Sequence, residues 1–275
     1  MNGTQTAGEV MDTPSVETGI VLRTGGMTGS RLLRAYLTEA KYESLRMLRA
    51  PAFAIPFLGL PVALYLLFAV LLFGDAMRND AKAALYTFTG FDVLGVMGPG
   101  LFGFGITLAM EREQGLLTLK RALPMPAGAS LLAKLLMAML FGAVVTVTML
   151  AAAPTLGHLP ISAGQCLALA AVNILGAMPF CALGMFIGTR MSGKAAPAIA
   201  NLFYLAMIYL SGILLPMPKS MAAIALVSPA YHLDQLAFRV LGAASQGPAW
   251  VHVAILAGVT LALTAISVRR LARVG

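Results

Sequence analysis

The chain has 275 residues, of which 59% are hydrophobic and only 11% are charged, and its formal net charge is +8. A soluble domain carries about 25% charged residues because its surface faces water, so this composition excludes an ordinary soluble protein. The mean hydropathy of +0.85 agrees with that exclusion. The basic residues flank apolar runs, and their excess therefore requires no nucleic-acid partner.

Charge-free runs predict where the chain crosses a membrane. A helix needs roughly 20 apolar residues to cross about 30 Å of hydrocarbon, and backbone polar groups in lipid must be paired within the helix. Five runs of 18 to 55 residues carry no formal charge, and Pro154 and Pro160 divide the longest run in two. The sequence therefore predicts an all-α polytopic membrane protein with six spans: 53–74, 88–110, 135–153, 164–188, 196–215 and 249–268.

The distribution of basic residues predicts the orientation. With six spans both termini lie on one side, which then holds 15 of the 19 Lys and Arg residues. The positive-inside rule places that side in the cytoplasm, so we expect an inner-membrane protein with both termini cytoplasmic. Residues 1–29 are polar and lack the apolar core of a signal peptide. They are predicted to be a disordered cytoplasmic tail, and residues 30–275 to form the membrane domain.

Two segments outside the spans are predicted to be helical. Residues 31–49 are amphipathic, which favours a helix lying in the cytoplasmic interface, although a merely solvated helix is the alternative. Its predicted apolar face consists of Leu33, Tyr36, Leu37, Ala40, Ser44, Met47 and Leu48. The uncharged stretch 220–233 is too short to cross and lies among prolines, which predicts a re-entrant hairpin on the outer side.

Span 2 is rich in glycine, with five glycines and Pro99 between residues 92 and 111. Glycine lets helix backbones approach closely, so a packing role is favoured over a hinge. Asp92 and Glu111 are far enough apart along this helix to reach opposite water interfaces. Asp92, Asn201 and Ser211 are predicted as candidates to line a translocation path. The polar residues within spans, Asn173, Asn201 and Ser211, could bond between helices or contact a substrate, and bonding between helices is the commoner case.

The sequence contains no complete catalytic or nucleotide-binding motif. Residues 188–194 have the GxxxxGK spacing, but Ala195 stands where a P-loop needs Ser or Thr, and a membrane helix precedes the motif. We expect no cofactor and no metal site. Two alternatives stay open: a secondary transporter or channel, and a membrane enzyme acting on lipid, for which His232 with Asp234 is the candidate. Cys166 and Cys181 lie too far apart along span 4 for a disulfide.

The loop after span 2 is charged, with leucines set among its charges, and such a helix can present apolar anchors to a partner's groove. Its residues resemble the pattern ERExGTLExL, followed by a proline, of membrane subunits of ABC-2 type ABC transporters. The matching residues are Glu111, Arg112, Glu113, Gly115, Leu117, Leu119 and Pro124. The chain departs from the pattern at Leu116, Thr118 and Lys120. The segment Ser228-Pro-Ala-Tyr231 is similar to the family's stretch before its last span.

The resemblance implies how the protein would work. Residues 110–124, including Leu116, would form the coupling helix that seats on a separate ATP-binding cassette ATPase, two copies of which would serve two copies of this chain, or this chain and a related permease. Residues 31–49 would be the family's interfacial elbow helix. The implied function is export driven by ATP hydrolysis in the partner, with a drug-like, lipid-linked or other amphiphilic substrate passing between the copies.

Overall fold

The structure is a computed structural model that describes residues 29–122, 129–155, 159–212 and 222–274. Within these ranges the regular elements are all helical, which confirms the predicted all-α class. The predicted tail (except Gly29), the turn at 156–158 and Pro124 lie outside the described residues. Both cysteines are free, as the sequence predicts.

Five helices are long and apolar enough to cross a membrane. They keep their sequence numbering and are span 1, Pro51–Leu72; span 2, Ala81–Glu113; span 3, Ser130–Thr155; span 4, Ala163–Gly188; and span 6, Ala249–Leu271. Span 4 has a break at Ala177 between the helices Ala163–Gly176 and Met178–Gly188. Span 6 belongs to the longer helix Ala249–Val274. The chain is therefore a multi-pass membrane protein.

The fifth predicted span, 196–215, is described only in part. The apolar helix Ala196–Ser211 is shorter than a full span, and residues 213–221 lie outside the described ranges. The segment predicted as a re-entrant hairpin begins in the same gap, and its described part contains the helices Ala222–Ala225 and Pro229–Leu241. The six-span count and the hairpin therefore stay predictions.

The N-terminal helix, Gly29–Leu48, packs along span 3. Its predicted apolar face is divided in two: Ala40, Ser44 and Met47 are buried against the bundle, whereas Leu33 and Leu37 are 61% and 57% exposed. The helix therefore rests on protein along one side and presents leucines on another. That pattern agrees with a helix lying at an apolar–polar interface.

Span 2 is the centre of the bundle. In its most apolar stretch 78% of the residues are buried, compared with 17% for spans 1 and 6. Spans 1, 3 and 4 and the Pro229–Leu241 helix all pack against span 2. Spans 1 and 6 therefore form the periphery, with apolar side chains turned outward as a lipid environment requires.

Glycines bring the backbones of spans 2 and 4 into direct contact. A Cβ atom added to Gly184 would lie 2.6 Å from the carbonyl oxygen of Gly100, and one added to Gly188 would lie 2.6 Å from that of Gly105. The contact includes the π-helical turn Pro99–Phe104, which begins at a residue without an N–H. The predicted packing role of these glycines is confirmed.

The contacts define two ends of the bundle. The basic end holds Arg46 and Lys134, which both bond to Glu111 of span 2, and Arg270, which bonds to the segment after span 4. At the opposite end the Tyr86 hydroxyl donates to the Ala244 carbonyl, and the Gln165 amide donates to the Leu241 carbonyl. Span 2 runs from the opposite end at Ala81 to the basic end at Glu113.

The glycine contact predicts a sharp sensitivity to a single methyl group. Gly184→Ala should destabilise the protein by about 1–3 kcal/mol, because the added carbon meets backbone atoms that have no rotamer to change. The midpoint of thermal unfolding in mild detergent measures this. Gly258→Ala on span 6 is the matched control, since a Cβ atom there meets nothing within 4 Å. Equal midpoints for the two variants would contradict the close contact.

Candidate functional site

The predicted coupling segment is divided by a sharp turn. Span 2 ends at Glu113, Gly115 has a φ of +71°, and a second helix, here called the loop helix, covers Leu116–Ala122. A φ of this sign is in the left-handed region that glycine adopts at little cost. Gly115 therefore lets the loop helix leave the axis of span 2 at once, within the sequence pattern that carries the resemblance.

A buried ionic cluster lies where span 2 reaches the basic end. The Lys134 ammonium is fully buried and donates to Glu43 Oε1 at 2.6 Å and to Glu111 Oε1 at 3.0 Å. It also donates to the hydroxyl of Thr107 at 3.1 Å. Arg46 donates to the same two glutamates, at 2.8 Å and 3.2 Å. The cluster joins the N-terminal helix, span 2 and span 3 with two positive and two negative charges.

Most of this cluster was missed by sequence reasoning. Only Glu111 was a predicted site residue, and Glu43 lies on the side of the N-terminal helix that also carries Ala40 and Met47. A signal did exist: a glutamate among buried positions and a lone lysine, Lys134, at the start of an apolar span are each costly unless paired. The sequence could not show that the two meet.

Two further residues of the motif, Arg112 and Glu113, contact the segment that follows span 4. Arg112 donates to the carbonyl of Met191 at 2.7 Å. A Cβ atom added to Gly193 would lie 2.7 Å from Glu113 Oε2, so this carboxylate passes directly over that glycine. Arg270, near the end of span 6, donates to the carbonyl of Thr189 at 3.0 Å. The segment 189–195 overlaps the GxxxxGK sequence at residues 188–194. Through these contacts the segment connects the motif to span 6.

The predicted coupling residues differ in exposure. Glu111 is 3% exposed, and Arg112 is half-buried in its bond to Met191. Leu116 and Leu117 are half-buried, and Leu117 packs against the cluster that contains Phe104 and Leu108. Glu113 is exposed, and Leu119 is 62% exposed. Among the motif residues that the structure describes, Glu113 and Leu119 therefore have exposed side chains, whereas Glu111 and Arg112 hold the motif to the bundle.

A second polar network is embedded between the spans. Asp92 is fully buried and accepts a hydrogen bond from the Asn173 amide at 2.6 Å, and the same amide donates to the Thr146 hydroxyl at 2.9 Å. The prediction that Asp92 reaches a water interface is therefore wrong, because spans 3 and 4 cover it. The prediction that Asn173 bonds between helices is confirmed.

Asp234 brings a second carboxyl group to this network. It lies on the Pro229–Leu241 helix, which packs against span 2, and is 2% exposed. Burial, and then the nearby Asp92 carboxyl, raise the pKa of Asp234 well above its usual value of about 3.8. Two carboxyl groups thus share an apolar environment where both cannot readily be charged. Sequence reasoning did not anticipate an ionisable pair inside the bundle.

The three predicted path residues are not joined by any described bond. Asp92 bonds to Asn173, the Ser211 hydroxyl donates to the Ile208 carbonyl of its own helix, and Asn201 is exposed on the surface of the Ala196–Ser211 helix. Nothing in the described ranges tests whether these residues line a path. Their role therefore stays a prediction.

The candidate for lipid chemistry, His232 with Asp234, is buried rather than open to headgroups. His232 Nδ1 lies 2.8 Å from His252 Nδ1, and each Nε2 lies against a carbonyl, that of Leu226 or Gln246. Burial lowers the pKa of His232. The two imidazoles therefore serve to connect the Pro229–Leu241 helix with span 6 and with the segment between them.

The ionic cluster generates a prediction about stability. Lys134→Met should lower the free energy of unfolding by about 3–5 kcal/mol, because it leaves two buried glutamates with one partly exposed arginine. Adding Glu111→Gln should restore part of the loss, since Glu43 and Arg46 then balance. The unfolding midpoint in detergent is the measurement, and Lys82→Met, at an exposed position of the opposite end, is the control. A Lys134 variant as stable as the control would contradict the cluster.

The raised pKa of Asp234 generates a prediction about pH. A folded-state pKa above the unfolded value of about 3.8 means that Asp234 contributes stability at low pH and loses it as pH rises toward the folded pKa. Asp234→Asn should therefore gain stability relative to the parent as pH rises from 5 to 8. A few degrees in the unfolding midpoint are expected. The exposed control Asp75→Asn should show no such trend, and a pH-independent difference for Asp234→Asn would contradict the assignment.

The chain is similar to known proteins over most of its length. Residues 34–237 match the family described as ABC-2 type transporter. A relative from Bacillus subtilis (strain 168), named "Putative transport permease YvfS", is 28% identical over 218 residues, which make up 78% of this chain and 87% of that protein. The family match begins in the N-terminal helix and ends in the Pro229–Leu241 helix, so it includes the motif, the ionic cluster and the embedded carboxyl pair.

Proposed function

The chain belongs to the ABC-2 type transporter family, and we propose that it is the membrane subunit of an exporter that is driven by ATP hydrolysis in a separate ATP-binding cassette ATPase. Two copies of that ATPase would serve two membrane subunits, either two copies of this chain or this chain and a related permease. The chain itself would supply the path and no enzymatic activity.

The arrangement of residues 111–119 carries the proposal. Glu111 binds through Lys134 to the N-terminal helix and span 3, and Arg112 binds to the segment after span 4. Glu113 and Leu119 stay exposed beside them. A partner that displaces the loop helix would therefore act on the end of span 2, which is connected to three other elements. Such a connection is what a subunit without its own energy source requires.

The basic end would face the cytoplasm of an inner membrane, with both termini there. The support is electrostatic: basic residues accumulate on the cytoplasmic side of membrane proteins. Arg46, Arg112, Lys134 and Arg270 are at the basic end. Arg78 lies just before span 2 and Lys82 at its start, both at the opposite end. A soluble ATPase would then meet the loop helix from the cytoplasm.

The substrate path would run beside the Ala196–Ser211 helix. Asn201, Leu202 and Leu205 are exposed on that helix, which leaves a mostly apolar surface with one amide for a second subunit or a substrate. Such a surface favours a drug-like, lipid-linked or other amphiphilic substrate. Asp92 and Ser211 stay proposed path residues that a rearrangement of the helices would have to uncover.

A secondary transporter is the second candidate, because of the buried carboxyl pair. Ionisable groups inside a bundle often serve as proton relays, and Asp92 and Asp234 are both buried. Transport that continues without ATP and stops when the proton gradient is abolished would favour this candidate. Transport that requires the ATPase and survives loss of the gradient would exclude it.

Co-purification tests the proposed coupling. A pull-down from native membranes in mild detergent should recover an ATP-binding cassette ATPase in amounts about equal to this chain. Leu119→Asp and Glu113→Lys should each reduce the recovered ATPase roughly tenfold, because loss of a central anchor costs 1–2 kcal/mol or more. Leu117→Asp should do so too, but it also disturbs the packing around Phe104.

The matched control is Val227→Asp, which places the same charge on a residue that is 76% exposed outside the motif. It should leave the recovered ATPase unchanged. Each variant must be shown to be inserted and monodisperse in detergent, so that loss of the partner is separated from loss of the fold. Normal ATPase recovery with Leu119→Asp and Glu113→Lys together would overturn the coupling role.

A further inference from the structure

Two buried histidines contact each other at the end of the bundle that lies opposite the basic end. His232 is on the helix Pro229–Leu241, and His252 is in the first turn of span 6. The two residues are 0% and 3% exposed, and their Nδ1 atoms are 2.8 Å apart. Neither the coupling motif nor the bond between Asp92 and Asn173 uses this contact.

The two imidazole rings point at each other through these nitrogens. The ring centroids are 5.1 Å apart, which is close to the greatest separation that a 2.8 Å contact between ring nitrogens allows. The two Nδ1 atoms therefore lie almost on the line that joins the centroids. A metal ion about 2.0–2.1 Å from each nitrogen does not fit on that line between them, whereas the hydrogen of an N–H···N bond does.

The other nitrogen of each ring faces a backbone carbonyl. His232 Nε2 lies 2.8 Å from the Leu226 oxygen, and His252 Nε2 lies 2.6 Å from the Gln246 oxygen. A carbonyl oxygen can only accept a hydrogen bond, so each Nε2 must carry a hydrogen. The two carbonyls therefore leave both Nδ1 atoms of a neutral pair without a hydrogen.

The three contacts together require three hydrogens. Two neutral imidazoles carry only two N–H hydrogens between them. With both hydrogens on Nε2, two Nδ1 lone pairs face each other; with one moved to Nδ1, an Nε2 lone pair faces a carbonyl oxygen. One additional proton satisfies all three contacts, and a fourth hydrogen would place two N–H groups against each other.

We propose that His232 and His252 share one proton between their Nδ1 atoms and form a singly charged, proton-dependent link between the Pro229–Leu241 helix and span 6. One ring donates this proton to the other, and each Nε2–H donates to its carbonyl. Hydrogen bonds from a charged donor are roughly twice as strong as neutral ones, which favours keeping the proton. When the proton is lost, one of the three contacts becomes repulsive and the link opens.

Neighbouring groups limit the pair to one proton. Burial, and then a positive charge on His252, lower the pKa of His232, so His232 is the ring that stays neutral and accepts. The Arg239 guanidinium, which donates to the Gly247 carbonyl beside His252, further disfavours a second positive charge. The other titratable groups toward this end, on this helix and on the described elements packed against it, are Tyr231, Asp234, Lys82, Tyr86, Asp92, Cys166, Cys181, Tyr204 and Tyr209.

The link also holds the segment between the Pro229–Leu241 helix and span 6. The Gln246 carbonyl faces His252, its N–H donates to Gln235 Oε1 at 2.7 Å, and its side-chain oxygen accepts from the Tyr231 hydroxyl at 3.3 Å. On the proposed orientation this segment faces the outer side of the membrane, so the link would respond to external pH. The shared proton itself does not depend on the proposed export function.

The proton count gives the sign of the pH dependence. Two unfolded histidines, with pKa values of about 6.5, bind two protons well below that pH and none well above it, whereas the folded pair binds one. The stability that the pair contributes therefore rises with pH below about 6.5 and falls above it. A pair that is neutral in the folded state would instead give a contribution that rises with pH to a plateau.

Nitrogen-15 NMR of the histidine side chains, in the full chain in mild detergent, tests the proton directly. The chain has three histidines, so His158→Gln leaves only the signals of the pair. At about pH 6.5 we expect both Nε2 atoms to carry a hydrogen and the two Nδ1 atoms to share a third. His252→Asn, whose amide can donate to His232 Nδ1 without an added proton, should leave His232 neutral with its hydrogen on Nε2.

Unfolding midpoints measured from pH 5 to 8 provide a second test. The difference between Asp234→Asn and Asp234→Asn with His252→Gln isolates the pair, because the titration of Asp234 is absent from both proteins. We expect this difference to be greatest near pH 6.5 and to shrink by a few degrees on either side. His158→Gln in the same background is the control, since one titrating histidine gives a step and no maximum.

Either measurement can overturn the proposal. Two ring hydrogens instead of three near pH 6.5 would show a neutral pair, and four would show that both rings are charged and apart. A stability difference that rises to a plateau and does not fall above pH 6.5 would show that the folded pair holds no shared proton there. The NMR measurement needs no substitution in the pair, so it decides the question even if His252→Gln fails to fold.

Discussion

The direct contact between the backbones of spans 2 and 4 is the constraint on which the other arrangements depend. At Gly100, Gly105, Gly184 and Gly188 no side chain separates the two helices, so their axial register and rotation have almost no freedom. That register brings Asp92 to Asn173 near one end of the contact and Arg112 to Met191 at the other. Sliding one helix by a single residue, about 1.5 Å, would break both bonds.

The free-energy cost of burying polar groups then determines which other helices pack against spans 2 and 4. The charged Lys134 side chain can be fully buried because Glu43 and Glu111 approach it from two different helices. Removing span 2 or span 3 would leave an unbalanced charge in an apolar environment, which is far more costly than the pair itself is favourable. Removing the N-terminal helix would take away the Glu43 carboxylate that Lys134 contacts at 2.6 Å. The N-terminal helix is therefore attached to the bundle by charge as well as by Ala40 and Met47.

The same connections explain how a short exposed motif can influence a large membrane domain. On the proposed function, a force on the loop helix passes through Gly115 to the end of span 2. There Glu111 and Arg112 distribute it to the N-terminal helix, span 3 and the segment 189–195. Arg270 extends the connection to span 6 through its hydrogen bond to the Thr189 carbonyl. The partner therefore needs to contact few residues.

Properties that accumulate along the chain could be predicted from the amino-acid sequence: the helical class, five of the spans, the packing role of the span 2 glycines, and the family, through Glu111–Leu119. Hydrophobic length and charge asymmetry are sums over local residues, so no knowledge of neighbours is needed to evaluate them. The tertiary arrangement was needed to show that Asp92 is covered, that Asp234 lies near it, that Glu43 meets Lys134, and that Arg190 and three arginines of the last helix line one depression. Each of these depends on which helices are adjacent and how each is rotated about its axis, and a helix with apolar residues on most sides leaves that rotation unspecified. The rotation of each helix is fixed only after the bundle has formed, by contacts between residues as far apart in sequence as Glu43 and Lys134.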